Sequence, residues 1–104
     1  MTDVFDIVIT EQATRDYNAL IDYVKHEAGV SVARTLKLRL DQTVRSLTWL
    51  PLRYQVYKPI PSIRLAPCSS WTIFYRITAR VEVIRILHQS RDVTREMLGQ
   101  DYIF

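Results

Sequence analysis

The sequence holds one cysteine, two glycines and four prolines, and its two histidines, His26 and His88, lie far apart. A lone Cys68 can form no internal disulfide, so nothing points to a stapled, exported framework. The donor set of a structural zinc site is missing, and there is no phosphate-binding loop, metal motif or serine triad. No cofactor is therefore expected. No apolar run approaches the ~18 residues that a membrane span needs. The opening Met1-Thr2-Asp3-Val4-Phe5-Asp6 carries acids where a secretory leader carries bases. A soluble, cytoplasmic chain with no membrane partner is the expectation. Long linkers, internal repeats and low-complexity segments are lacking too.

What remains fits one domain, residues 1–104, because a chain of 104 residues has no room for two independent cores. A hydrophobic share of 48% beside 24% charged residues is globular and excludes disorder. The net charge of +3 favours an anionic partner, nucleic acid or an acidic protein segment, over a neutral one. A plain basic surface explains it equally well.

Residues 4–10 are rich in β-formers and predict a first strand. Thr10 is placed to cap a helix with Glu11 in its first turn. Ala13, Tyr17, Leu20, Ile21, Val24 and Ala28 then recur at helical spacing up to a stop at Gly29. Ser31 is the next expected cap. Ala33, Leu36, Leu40, Val44, Leu47 and Leu50 form a second stripe, ended by Pro51. Two such helices joined by about three residues should pack as an antiparallel hairpin. Arg34, Lys37, Arg39 and Arg45 lie on the other side of the second helix against Asp41. They read either as a solvated basic side or as a nucleic-acid surface.

Residues 51–62, with three of the four prolines, read as a loop carrying Tyr54 and Tyr57. Residues 63–66 predict a short strand, and residues 67–70 a turn that includes Cys68. Residues 71–78 alternate, with Trp71, Ile73, Tyr75 and Ile77 on one side and Thr72, Phe74, Arg76 and Thr78 on the other. Ala79 and Arg80 would make the next turn. Residues 81–87 are apolar on both sides, which marks an interior strand. Asp92 can cap a last helix running through Leu98 and closed by Gly99. Trp49 and Trp71 are expected in the core or at its rim. The fold class is α+β: a strand, a helix hairpin, a three-stranded antiparallel meander covered on one side by the hairpin, and a short C-terminal helix, with the first strand joining a sheet edge. Leu20, Leu40, Leu47, Tyr75 and Ile84 should share one core.

This order, with Ile63-Arg64-Leu65 before a turn, Trp71-Thr72-Ile73-Phe74-Tyr75-Arg76-Ile77, and Val83-Ile84-Arg85-Ile86-Leu87-His88-Gln89-Ser90-Arg91-Asp92, resembles the RelE/ParE toxin superfamily, over nearly the whole chain. The resemblance implies a bacterial toxin held silent by a cognate antitoxin. RelE-like members cut messenger RNA on the ribosome with basic residues on the middle strands plus a basic or aromatic group near the C-terminus. ParE-like members poison DNA gyrase and have no agreed catalytic residues.

Cleavage of a phosphodiester by a 2′-hydroxyl needs a base, an acid and positive charge on the phosphate. The positions at which RelE-like members keep lysines fall on or beside Ile63 and Leu65, and their strand arginine falls on Thr72; Arg91 alone occupies a basic position. Alternation is expected to turn Arg64 and Arg76 away from Ile63 and Tyr75. His88 and Arg91 would be the acid–base pair of a nuclease. In the structural alternative, His88 is hydrogen-bonded to nearby backbone, and Arg91 and Asp92 form a local ion pair or helix cap. Cys68 has no basic neighbour to activate it. The reading drawn from these residues is a ParE-like toxin without catalytic residues. It would bind DNA gyrase, with Arg34, Lys37, Arg39, Arg45, Arg91 and Arg95 as the candidate target-binding residues. A ribosome-dependent endoribonuclease and a non-toxic partner of the antitoxin are the alternatives.

Overall fold

The computed structural model describes residues 5–98. Its elements are β1 (Ile7–Ile9), α1 (Glu11–Ala28), α2 (Val30–Ser46), β2 (Val56–Tyr57), β3 (Ile60–Cys68), β4 (Trp71–Ile77), β5 (Val81–His88) and α3 (Arg95–Leu98). No helix among these residues is long and apolar enough to cross a membrane.

Local chemistry sets the helix ends. The Thr10 hydroxyl accepts the Ala13 N–H at 3.2 Å, which caps α1, and donates to the Ile84 carbonyl at 3.1 Å, which ties the cap to the sheet. Gly29, at φ 98°, both stops α1, through its N–H to the Lys25 carbonyl, and starts α2, through its carbonyl to the Ala33 N–H. The hairpin connection is thus one residue, not about three, and Ser31 lies inside α2 instead of capping it. At the other end the N–H groups of Leu47, Thr48 and Trp49 bond to carbonyls three residues back. That tighter winding swings the chain off the helical stripe, so α2 ends at Ser46 and Leu50 is exposed.

The sheet order is β1-β5-β4-β3-β2, with β1 parallel to β5 and the other pairs antiparallel. The meander and the edge position of the first strand are as expected. β2 lies within the expected loop, and β3 runs from Ile60 to Cys68, longer than the four residues anticipated. Cys68 is therefore a buried strand residue, and the turn contracts to Ser69, at φ 57°, and Ser70. β4 and β5 are joined by residues 78–80, where Thr78 N–H bonds the Arg80 carbonyl. Thr94, whose Oγ1 accepts the Met97 N–H, caps α3 in place of Asp92. Gly99 lies outside the described residues.

The buried side chains form two layers, not one. Leu20, Leu36, Leu40 and Leu47 pack with Ile73, Tyr75, Val83 and Ile86 between the helices and the sheet. Ile60, Ile63, Phe74, Ile84, Leu87 and Leu98 form a second cluster on the opposite side, beneath α3. A bulge sets how β5 divides between them: Phe74 pairs with Arg85 and Tyr75 with Val83, so Ile84 is an extra residue, and the side-chain alternation of β5 inverts across it. Register also corrects the strand faces. Arg64 sits opposite Tyr75 on the helix side, where its guanidinium donates to the Tyr54 carbonyl at 2.6 Å, while Ile63 belongs to the other layer. Arg76 does point away from Tyr75, and it pairs with Glu82.

β1 pairs with β5 only as far as Val83. Past that point α1 covers the edge with a carboxylate: Asp16 Oδ2 accepts the Ile86 N–H at 3.0 Å and the Arg85 Nε at 2.7 Å, and Oδ1 accepts Arg85 Nη2 at 3.1 Å. Arg85 Nη1 then donates to the Met97 carbonyl in α3 at 2.6 Å. One arginine thereby joins α1, β5 and α3.

Tyr75 is fully buried and donates its hydroxyl to the Pro51 carbonyl at 2.7 Å. Burial pushes its pKa up to about 12, against the pull of the Arg64 guanidinium. Burial, and then the hydrogen bond to Asp41, also raises Tyr17 to about 12. A phenol in an unfolded chain titrates near 10. Folded values above that favour the neutral form, so the stabilisation is complete below pH ~10 and lost as pH rises towards 12. The melting temperature should hold up to about pH 9.5 and fall steeply between about pH 10 and 12, less so in Tyr75→Phe. A wild type that melts at the same temperature at pH 9 and pH 12 would contradict this.

Candidate functional site

On the sheet side away from the helix hairpin, a cleft of about 150 Å³ is lined by Tyr57, Leu65, Thr72, Phe74, His88, Gln89, Arg91 and Val93. β2 supplies Tyr57, whose ring meets Phe74 edge-on at 5.8 Å. Leu65, Thr72 and Arg91, three positions singled out for the nuclease comparison, do converge here. Ile63 does not line the cleft; it is buried in the layer under α3. Among the described residues no carboxylate lines the cleft, and Arg91 is their one permanent cation there.

His88 is held by its neighbours. Its Nδ1 accepts the Ser90 backbone N–H at 3.1 Å and lies 2.7 Å from the Ser90 hydroxyl, and its ring stands edge-on to Trp71 at 4.9 Å. The hydrogen bond to nearby backbone anticipated for a histidine at a strand end is thus present. Arg91 is exposed, and its backbone N–H bonds the His88 carbonyl at 3.0 Å. Among the described residues the ion pairs are Arg15–Glu11, Arg76–Glu82 and Arg85–Asp16, so Arg91 and Asp92 do not pair. No group of three or more metal-ligating side chains among these residues could hold an ion.

A second, larger groove of about 500 Å³ runs between the helix hairpin and β1. Ile7, Ile9, Tyr17, Val44 and Ile86 make it apolar, and Asp41 and Arg45 mark its rim. On its outer side β1 pairs with no strand among the described residues, and Ile9 is half exposed.

The basic residues do not gather into one patch. Arg34, Lys37, Arg39 and Arg45 are all exposed. Arg45 borders the β1 groove, whereas Arg39 borders a depression with Val32 and Ser69 on the other flank of α2. Arg91 lies at the cleft, and Arg95 opens α3 with its side chain outside the described set. Trp71 sits at the core rim as expected, but Trp49 is exposed. Sequence reasoning missed Tyr57 at the cleft and the exposed segment around Trp49. An aromatic between prolines just before a hairpin was the available signal for the first.

A helix hairpin over a five-stranded sheet, with an α3-capped second layer and a cleft beside it, defines a RelE/ParE-type toxin fold. The model of a family described as the ParE toxin of type II toxin–antitoxin systems, parDE, matches residues 7–93, and the chain belongs to that family. Toxin ParE1 of Caulobacter vibrioides is 29% identical over 92 residues, covering 88% of this chain and 95% of that protein. Two solved structures share the fold. The chromosomal ParDE system from P. aeruginosa superposes with a TM-score of 0.72 at 15% identity, over 84% of this chain and 98% of the other. The toxin–antitoxin complex RelBE2 from Mycobacterium tuberculosis gives 0.58 at 18% identity, over 88% and 97%.

Proposed function

We propose that this ParE-family toxin acts by binding and inhibiting DNA gyrase, without turnover chemistry of its own, and is neutralised by a cognate antitoxin. The observation that carries the reading is the cleft. Where a nuclease needs an acid, a base and clustered positive charge, the described lining is Leu65, Thr72, Tyr57 and Phe74, with Arg91 as the one permanent cation among the described residues and a His88 engaged by Ser90. A gyrase inhibitor needs no catalytic group, because gyrase makes the DNA break and the toxin need only stop it closing. Arg34, Lys37, Arg39, Arg45, Arg91 and Arg95 are the proposed cationic contacts with the target complex, spread over several faces instead of one. Induced expression should filament cells and switch on the DNA-damage response while protein synthesis continues. Arrest of synthesis within minutes would instead favour the ribosome-dependent endoribonuclease, with Arg91 and His88 as its groups.

The antitoxin is proposed to fill the β1 groove, adding a strand to the open edge or laying a helix over Ile9, Tyr17 and Val44. A ligand that binds only the folded state stabilises it by mass action, about 4 kcal/mol at a thousandfold excess over Kd. The toxin bound to its antitoxin should therefore melt well above the toxin alone, and Ile9→Asp should abolish that gain. An unchanged melting temperature with saturating antitoxin would rule the groove out.

A further inference from the structure

The segment joining α2 to β2 carries Leu52, 69% exposed, with Trp49 and Leu50 each more than half exposed beside it. None of the three belongs to either core layer. The backbone beneath them is nonetheless fixed. Trp49 and Leu50 N–H both bond the Ser46 carbonyl, Arg53 N–H bonds the Leu50 carbonyl, and the Thr48 carbonyl accepts the Phe5 N–H at 2.9 Å. Pro51 is buried, and its carbonyl is gripped by the Tyr75 hydroxyl. The apolar side chains are thus held out into water by a rigid support. They flank a recess of about 430 Å³ floored by Phe5, Pro51 and Ile77, in whose lining Arg53 is the one charged residue among those described.

We infer that this projecting loop, residues 49–53, is the surface through which the toxin grips its protein target, by seating Leu52 and Trp49 in a preformed apolar pocket rimmed by carboxylates. The inference rests on the toxin–target reading above and commits to the target, not the antitoxin or a second copy of the chain. Shape favours that choice. A segment that folds as it binds brings side chains of its own and needs a groove to receive them, which β1 and the hairpin provide. Leu52, the most exposed of the three and only one wall of its recess, suits instead a folded partner that closes around it. Rigidity favours it as well, since anchors already fixed in place lose little freedom on docking. Tryptophan and arginine are the residue types that most often dominate such contacts. Charge agrees: Arg53 in the recess lining, with Arg45 exposed in the last turn of α2 before it, favours an acidic rim.

The test compares wild type with Leu52→Asp, Leu52→Ser and Trp49→Ala, reading growth arrest on induction, gyrase supercoiling, antitoxin affinity and melting. Because Leu52 lies outside both core layers, its variants should melt within a few degrees of wild type. Each should need about tenfold more toxin to arrest growth or to block supercoiling, with antitoxin affinity within about twofold. Leu52→Ser removes the anchor without adding a charge, so its failure to arrest growth cannot be charged to a disturbed loop. Full growth arrest by folded Leu52→Asp and Leu52→Ser would overturn the inference. So would lost antitoxin binding with growth arrest intact, which assigns the loop to the antitoxin. A wild-type dimer split by Leu52→Asp, with growth arrest unchanged, would overturn it in favour of self-association. A wild type that arrests growth but leaves supercoiling untouched removes the gyrase reading alone, and growth arrest then decides the loop.

Discussion

Arg85→Ala should lower stability by about 3 kcal/mol, a drop of roughly 10–20 °C in melting temperature for a domain of this size. The Arg85 and Asp16 side chains are only 15% and 16% exposed, so the surviving partner is left largely out of water. The loss has three parts. Asp16 keeps only the Ile86 N–H as a partner, the Met97 carbonyl loses its donor, and α3 loses its tie to the sheet. Asp16→Ala should cost at least as much, because it strands a guanidinium and uncovers the Ile86 N–H at the β5 edge. The double variant should be less destabilised than the sum of the singles, since the second change removes a charge that the first left unpaired. Additive losses would show that the pair contributes packing alone.

Leu40→Ala carries the second large effect, about 2–5 kcal/mol. Leu40 is fully buried in α2, in the layer formed with Leu36, Leu47 and the helix-facing side chains of β4 and β5. That layer is sealed by both helices, so the vacated space cannot collapse cheaply, and a small domain has little stability to spare. Thermal or urea unfolding measures the loss directly. A variant within a degree or so of wild type would mean that α2 does not pack as described.

Local chemistry was legible in the sequence, and register was not. Thr10 and Gly29 were readable because a cap and a helix stop depend on a few adjacent residues. The stripes Ala13–Leu20 and Ala33–Leu40 were readable because burial repeats with the helix period. Leu50 was misplaced because the tighter winding after Ser46 leaves no mark in the apolar pattern. The second core layer was hidden by the bulge at Ile84: a strand apolar on both sides looks the same with or without one extra residue. Ile63 and Tyr75 were assigned to one face because the alignment of β3 on β4 is a non-local fact, and a slip of one residue exchanges the faces.

The candidate site divides in the same way. Leu65, Thr72 and Arg91 could be placed together from the resemblance, and they do meet at one cleft. Tyr57 was counted as loop because a two-residue strand between prolines carries almost no periodic signal. The groove at β1 depended on knowing that β1 runs parallel to β5 with its other edge unpaired among the described residues. The exposed segment around Trp49 ran against the expectation that large apolar residues after a helix stripe are buried.

The central claim, a toxin that binds gyrase and cuts nothing, is tested most directly by adding purified protein in parallel to a gyrase supercoiling reaction and to a cell-free translation reaction. Supercoiling should fail, cleaved DNA should accumulate on gyrase, and messenger RNA should stay intact. Untouched supercoiling together with codon-positioned cleavage of messenger RNA, abolished by Arg91→Ala, would contradict it.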